Sequence, residues 1–363
     1  MRIAYLCGDR GVPVFGAKGA SIHVRELTRA LHALGHDVRI ASPRRGGERP
    51  AGFDVPVDDE LPDDFEPDAI YERYSLNSTA GLRAAAERGI PLLLEVNAPL
   101  ADEQARYRRL EDGDAARRVE RRMIRATTRL IAVSGGIERW LLDAGADPER
   151  VTVIANGVDI ERFRPLDGAA MRARLGLHGR RVVGFVGSLK PWHDVATLIR
   201  ALALLPLKPH LLVVGDGPER ERLERRAARL DVPATFTGAI AHDEVPAHLA
   251  ALDVAVAPYA ADDRFYFSPL KLAEYLAAAR PVAAADIGDI RHCIRHGETG
   301  SLYPPGDADA LAAAIGDLLH DRARAEALGA AGREHVRAAH TWEANAHAVV
   351  ELACAARERE RVA

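Results

Sequence analysis

Lys271 and Glu274 stand three positions apart behind Ser268-Pro269, inside the stretch Tyr259 to Pro281 that reads YAADDRFYFSPLKLAEYLAAARP. Ser268 at an N-cap, Pro269 at the first helical position and Leu270 after it predict a helix start. Backbone N–H groups there lack intrahelical acceptors and lie at the positive end of the helix dipole. They suit a phosphate arriving off the C-terminal edge of the preceding apolar strand, Asp253 to Pro258. Lys271 adds a full charge. Glu274, on much the same helical face, can accept hydrogen bonds from two vicinal hydroxyls. The chemistry is that of holding a phosphate and a ribose at one helix start.

Lysine occurs only at 18, 190, 208 and 271, all other basic residues being Arg, which makes each retained lysine worth inspecting. Lys18 lies in the Gly-rich GDRGVPVFGAKGAS, next to Gly19; Lys190 lies just beyond a strand-Gly turn at Gly187-Ser188; Lys271 is in the opening helix. Each is a place where a compact point charge meets phosphate. Lys208, between Pro206 and Pro209, reads as a surface loop residue.

The elements that must position these residues are short buried strands alternating with helices. Strands are predicted at Arg2–Cys7, Val38–Ala41, Ala69–Tyr74, Leu92–Val96 and Leu130–Val133, with a helix over Ser21–Leu34 closed by Gly35. From Val151 the text changes to VTVIANGVDIERFRP, a strand and a turn leading into a Pro- and Gly-containing link. The alternation restarts with strands at Val182–Val186, Leu211–Val214, Thr235–Thr237, Val254–Ala257 and Pro281–Ala284. This is an α/β chain of two doubly wound, Rossmann-like domains, 1–164 and 165–340. Ligands of such sheets bind outside the carboxyl ends of the strands, where Gly8–Gly19, Gly187–Ser188 and Gly215–Pro218 fall, so a cleft between the domains is expected. A dinucleotide-dependent dehydrogenase is disfavoured: the first loop lacks GxGxxG, and Val38-Arg-Ile-Ala-Ser42 ends without an acidic residue for a ribose.

Composition narrows the function further. The 363 residues carry a net charge of -4, which gives no basic field for nucleic acid. Cys7, Cys293 and Cys354 are dispersed, which fits a reducing cytosol and argues against a structural metal. The opening apolar run is too short for a signal peptide and no later run reaches transmembrane length, so a soluble cytoplasmic protein is expected.

The order GAKGAS, EVNAPL, IAVS, NGVD, GFVGSLKPWH, VVGDGP, FTG, SPLKLAEY, RPVAA, GETGSLYPPGD and a late TW resembles the retaining, GT-B-fold nucleotide-sugar glycosyltransferases of family 4, over essentially the whole chain. The resemblance implies a nucleoside diphosphate sugar of the UDP or GDP type as co-substrate on the C-terminal domain. It also implies a hydroxyl acceptor entering from the N-terminal domain, no metal or other cofactor, and a last helix, 341–363, crossing back onto the first domain. Donor contacts are expected from Gly19, Gly187, Ser188 and Gly215, and from Ser268, Pro269, Leu270 and Glu274.

This sequence departs from the family pattern at several places. Where the family has Arg after the Gly of the turn and Lys five residues on, this chain has Ser188 and His193, with Lys190 between them. Lys190 and Lys271 are therefore expected to carry the diphosphate, with Ser188 as a hydroxyl donor and His193 assisting. Eight positions before Glu274, where the family has a first Glu, stands Tyr266. Asn97 takes the place of a His after the fourth strand; it can position a hydroxyl but cannot act as a base, which suits a front-face route in which the leaving phosphate takes the acceptor proton. Glu95 and Asp102 are the alternative bases.

Three further readings frame the expectation. Asp112-Gly-Asp114 matches a DxD metal pattern but sits between Arg-rich segments and reads as an exposed turn. The segment Ala115 to Thr127 sets an apolar stripe of Ala116, Val119, Met123 and Ala126 against Arg117, Arg118, Arg121, Arg122 and Arg125; a solvated helix is favoured over peripheral contact with the inner face of a membrane. The missing Arg, His and first Glu keep a catalytically silent sugar-nucleotide binder open, and the architecture keeps a sugar-nucleotide epimerase open.

Overall fold

A computed structural model of the chain describes residues 1–76, 78–107, 110–262 and 265–362 and divides into two compact units. The first comprises Met1–Gly157, Tyr266–Ser268 and the C-terminal segment from Trp342; the second comprises Val158–Phe265 and Pro269–Thr341.

The first unit is built on β1 (Arg2–Cys7), β2 (Asp37–Ala41), β3 (Val57–Asp58), β4 (Ala69–Arg73), β5 (Leu92–Val96), β6 (Arg129–Ala132) and β7 (Val151–Val153). They form one parallel sheet in the order β3-β2-β1-β4-β5-β6-β7. Every residue of β4, β5 and β6 is buried, as expected of parallel strands covered on both faces. The helix Gly19–Ala33 packs against the C-terminal helix Trp342–Val362. It begins two residues before Ser21, because Ser21 is fully buried and the Lys18 carbonyl already receives the Ile22 N–H. Gly35, at φ +84°, then reverses the chain where a β-carbon would be strained.

The second unit repeats the plan with β8 (Val182–Val186), β9 (His210–Val214), β10 (Ala234–Phe236), β11 (Val254–Ala257), β12 (Val282–Ala285) and β13 (Ser301–Tyr303). The order β10-β9-β8-β11-β12-β13 reverses direction between β8 and β11, the switch point where doubly wound sheets bind ligands. Gly187 follows β8, Gly215 follows β9 and the segment to Pro269 follows β11, so three candidate ligand loops share one edge of one sheet. Asp263 and Arg264 of that segment lie outside the described residues. Strands β3, of two residues, and β13, of three, are not among the predicted strands.

Candidate active site

The two Gly turns of the second unit touch backbone to backbone. Gly187 N–H donates to Val214 O at 2.9 Å and Leu189 N–H to Asp216 O at 2.9 Å. A β-carbon on Gly215, at φ +136°, would lie 2.1 Å from the Gly187 carbonyl oxygen, so no other residue fits. Leu189 is completely buried, worth roughly 1.5–3 kcal/mol, and this anchor leaves Ser188 exposed and Lys190 half-buried on either side of it.

Lys271 reaches this turn from the helix Leu270–Ala277: a β-carbon on Gly187 would lie 3.0 Å from both its Cε and its Nζ. Its ammonium lies 4.3 Å from the Phe185 ring centroid and 5.4 Å from that of Tyr259, and it has no hydrogen-bond partner. Burial pushes the amine down to about 7, opposed by the charge of Glu274. A buried cation without a hydrogen-bonding partner is costly unless an anion completes it.

The start of that helix differs from the sequence expectation. Pro269 is the N-cap and Leu270 the first helical residue, with no side chain capping them. Ser268 stands one residue before that cap and is engaged by Asn156: the Asn156 N–H donates to Ser268 Oγ at 2.9 Å and Asn156 Nδ2 to the Ser268 carbonyl at 2.6 Å. No side chain caps the N–H groups of Leu270 and Lys271, while that of Leu272 donates to the Pro269 carbonyl at 3.1 Å. Glu274 is buried and meets His242, whose Nε2 lies 2.8 Å from Glu274 Oε1. His242 is 32 positions away, and no local spacing marks it as a partner.

His193, expected to assist Lys190 and Lys271, can do so only as a neutral group. Its Nδ1 donates to the Ser188 carbonyl, its ring packs by Phe185, Trp192 and Tyr259, and burial together with the nearby Lys271 pushes it down to about 2. His193 is a neutral ring that fixes the Ser188 turn. The Lys190 ammonium lies 6.0 Å from the Trp192 ring centroid.

In the first unit the candidates gather at the ends of β4 and β5. Glu95, 1% exposed, accepts from Tyr71, from Arg73 Nη1 at 2.9 Å and from the Asn97 amide, and faces His23 Nε2 at 2.6 Å. Burial alone would raise its carboxyl, but His23 and Arg73 hold it down at about 2. Glu95 is therefore no base: an anion so saturated has no affinity for a proton near neutrality. Asn97 is half-buried, with its amide nitrogen committed to Glu95 and its orientation thereby set. His23 and Asn156, 2.6 Å apart, extend this network to Ser268; neither was singled out from the sequence, since its members come from segments remote in the chain. Gly19 is exposed at the first turn of its helix.

Four other readings resolve into local structure. Asp112 caps the helix Gly113–Ala126, accepting from Ala115 N at 2.8 Å. That helix buries Ala116, Glu120, Met123 and Ile124, and Ala126 is exposed, so its apolar stripe ends one turn earlier than expected. Asp102 pairs with Arg117 at 2.8 Å, and Tyr266 donates to Glu103 Oε2 at 3.0 Å while its carbonyl accepts from Ser134 Oγ. Among the described residues no cluster of three or more His, Cys, Asp or Glu side chains is arranged to hold a metal ion, and no helix is long and apolar enough to cross a membrane.

Two Rossmann-like units, the second with Gly turns and a cationic helix start at the carboxyl edge of its own sheet, make a GT-B type of architecture. The family model described as Glycosyltransferase Family 4 matches residues 17–162, and that described as Glycosyl transferases group 1 matches residues 180–321. A D-inositol 3-phosphate glycosyltransferase from Thermobispora bispora is 30% identical over 395 aligned residues, covering 94% of this chain and 91% of the relative. A GDP-mannose-dependent alpha-(1-6)-phosphatidylinositol monomannoside mannosyltransferase from Mycobacterium tuberculosis is 35% identical over 239, covering 63% of this chain and 62% of that one. Among solved structures, sucrose-phosphate synthase from Thermosynechococcus elongatus matches with a TM-score of 0.79 at 25% identity, over 97% of this chain and 98% of that chain. HepE of Anabaena, solved with UDP and glucose, shares the fold with a TM-score of 0.77 at 22% identity, over 97% and 98%. The chain belongs to the GT-B-fold glycosyltransferases of family 4.

Proposed function

We propose that this glycosyltransferase moves a sugar from a nucleoside diphosphate sugar of the UDP or GDP type to a hydroxyl acceptor such as a glycan, a glycolipid or a natural-product aglycone, with retention and without a metal. The observation that carries this reading is Lys271: an ammonium with no hydrogen-bond partner, buried against the Gly187 turn, three residues before a buried Glu274. The names of the relatives, one GDP-mannose-dependent, support the donor class.

Cleaving the anomeric C–O bond leaves negative charge on the diphosphate and positive charge on the sugar. Lys271 and Lys190 receive the first, helped by the N–H groups at Leu270 and Lys271 and by the Ser188 hydroxyl. Glu274 takes the ribose hydroxyls. Asn97, its amide nitrogen held by Glu95, offers its carbonyl oxygen to an acceptor hydroxyl. Because Glu95 is locked as an anion, the acceptor's proton goes to the leaving phosphate oxygen, on the face from which the nucleotide departs.

The test is incubation with UDP- and GDP-sugars and a panel of hydroxyl acceptors that includes inositol phosphates. Nucleoside diphosphate should appear only when acceptor is present, and the product's anomeric coupling in NMR should match the donor's. A sugar altered without nucleotide release would make the chain an epimerase, a donor bound but never consumed would make it a silent binder, and an inverted product would overturn the front-face route.

A further inference from the structure

The carboxylate assigned above to the ribose is not free to turn. His242 Nε2 lies 2.8 Å from Glu274 Oε1, with side chains only 14% and 10% exposed. The other ring nitrogen, Nδ1, faces Arg162 Nη1 at 3.4 Å, and a guanidinium can only donate. Nδ1 is therefore the acceptor and Nε2 carries the proton given to Glu274. Arg162 is itself seated: Asp159 Oδ1 accepts from the N–H of Glu161 at 3.1 Å and of Arg162 at 2.9 Å, and the Arg162 and Asp159 side chains lie 3.7 Å apart. The Phe163 ring, buried, packs 5.4 Å from the His242 ring.

We infer that His242 is a positioning residue for donor recognition: held by Arg162 and Phe163, it orients Glu274 so that the nucleotide's ribose diol is read. The inference rests on the assignment of Glu274 to the ribose. A Glu side chain rotates about three bonds, and a carboxylate bonds two vicinal hydroxyls at once only in a narrow range of orientations. Fixing it beforehand removes that ordering cost from binding. One lone pair of Oε1 is spent on His242, while Oε2 and the remaining Oε1 lone pair stay available for the two hydroxyls. The segment Asp159 to Phe163 thereby acquires a role in donor recognition, although none of its own atoms needs to touch the ligand.

Calorimetry with UDP, GDP and their 2′-deoxy analogues as probes separates this role from mere support of the fold. Glu274→Ala should collapse the preference for the ribose form. His242→Ala should weaken the ribose ligand roughly tenfold, the low end for a hydrogen bond to a charged group, and the deoxy ligand, which keeps one of the two hydroxyls, less. His242→Gln, whose amide can donate where Nε2 does, should restore most of the preference, and adding His242→Ala to Glu274→Ala should cost nothing more. If His242→Ala does not fold, His242→Phe fills the space of the ring without a donor and gives the same comparison. A wild-type ribose preference in a folded His242→Ala or His242→Phe, with Glu274→Ala still defective, overturns the inference alone. An unchanged preference in Glu274→Ala removes the ribose assignment and the inference with it.

Discussion

The Lys271 ammonium stands 4.3 Å over the Phe185 ring and has no hydrogen-bond partner, while Gly187 leaves it the space of a missing β-carbon. A cation–π contact offsets only part of what burial costs an ammonium. The site is strained toward an anion, and that has consequences for stability and for pH.

Without ligand, Lys271→Met should raise stability by roughly 1–4 kcal/mol, since a desolvated amine is exchanged for a methionine of similar length. The same variant should lose the thermal shift that a nucleoside diphosphate gives the wild type. Paired melting curves check both. A destabilised variant that still binds would contradict the picture.

The pH dependence has a defined sign. Lys271 is depressed from 10.5 to about 7 in the folded chain, so between those values the unfolded chain binds more protons and the contribution of this group to stability rises with pH. Diphosphate affinity runs the other way, falling as pH climbs through about 7, because the ammonium must first be restored. Isothermal titrations between pH 6 and 9 read the slope; an affinity flat across that window would exclude Lys271 from the phosphate.

Lys190→Met should lower turnover by roughly 10²–10³ fold and weaken donor binding less, as expected of a group that acts when charge localises on the leaving phosphate. Lys208→Met, which removes only the exposed ion pair with Asp231, should leave turnover at the wild-type level. Steady-state kinetics on the two variants provides the contrast.

Glu95→Ala should cost about 3–5 kcal/mol, because it leaves the Arg73 guanidinium buried without its carboxylate. The Glu95 carboxyl is depressed from 4.5 to about 2, so its contribution is full above pH 4.5 and disappears as pH falls through about 2. Acid unfolding of wild type against variant tests this. A fully stable variant that lost only turnover would reinstate Glu95 as a base.

Turnover should survive EDTA, and Asp112→Ala should cost about 1 kcal/mol of stability, the usual worth of an N-cap, without affecting activity. Loss of activity on chelation with rescue by Mg²⁺ or Mn²⁺ would return Asp112 and Asp114 to consideration as ligands.

What the sequence determined by itself was local and periodic. Leu92–Val96, Val182–Val186 and Val254–Ala257 are strands at the residues where their apolar runs predicted them, since a strand buried on both faces is mostly apolar; the exception in the first, Glu95, is buried only because Tyr71, Arg73 and His23 pair with it. Lys271 and Glu274 were legible as a pair because helical spacing puts them on one side of one helix. Tertiary structure alone decided what surrounds them. His242 reaches Glu274 from 32 positions away, Asn156 donates to the Ser268 hydroxyl just ahead of the helix, and Arg73 and His23 fix the charge of Glu95. His193 shows the same limit: a histidine's type leaves its charge open, and only burial beside Lys271 makes it neutral. Protonation and hydrogen-bond partnership depend on desolvation and on atoms brought together by folding, and the spacing of residues along the chain encodes neither.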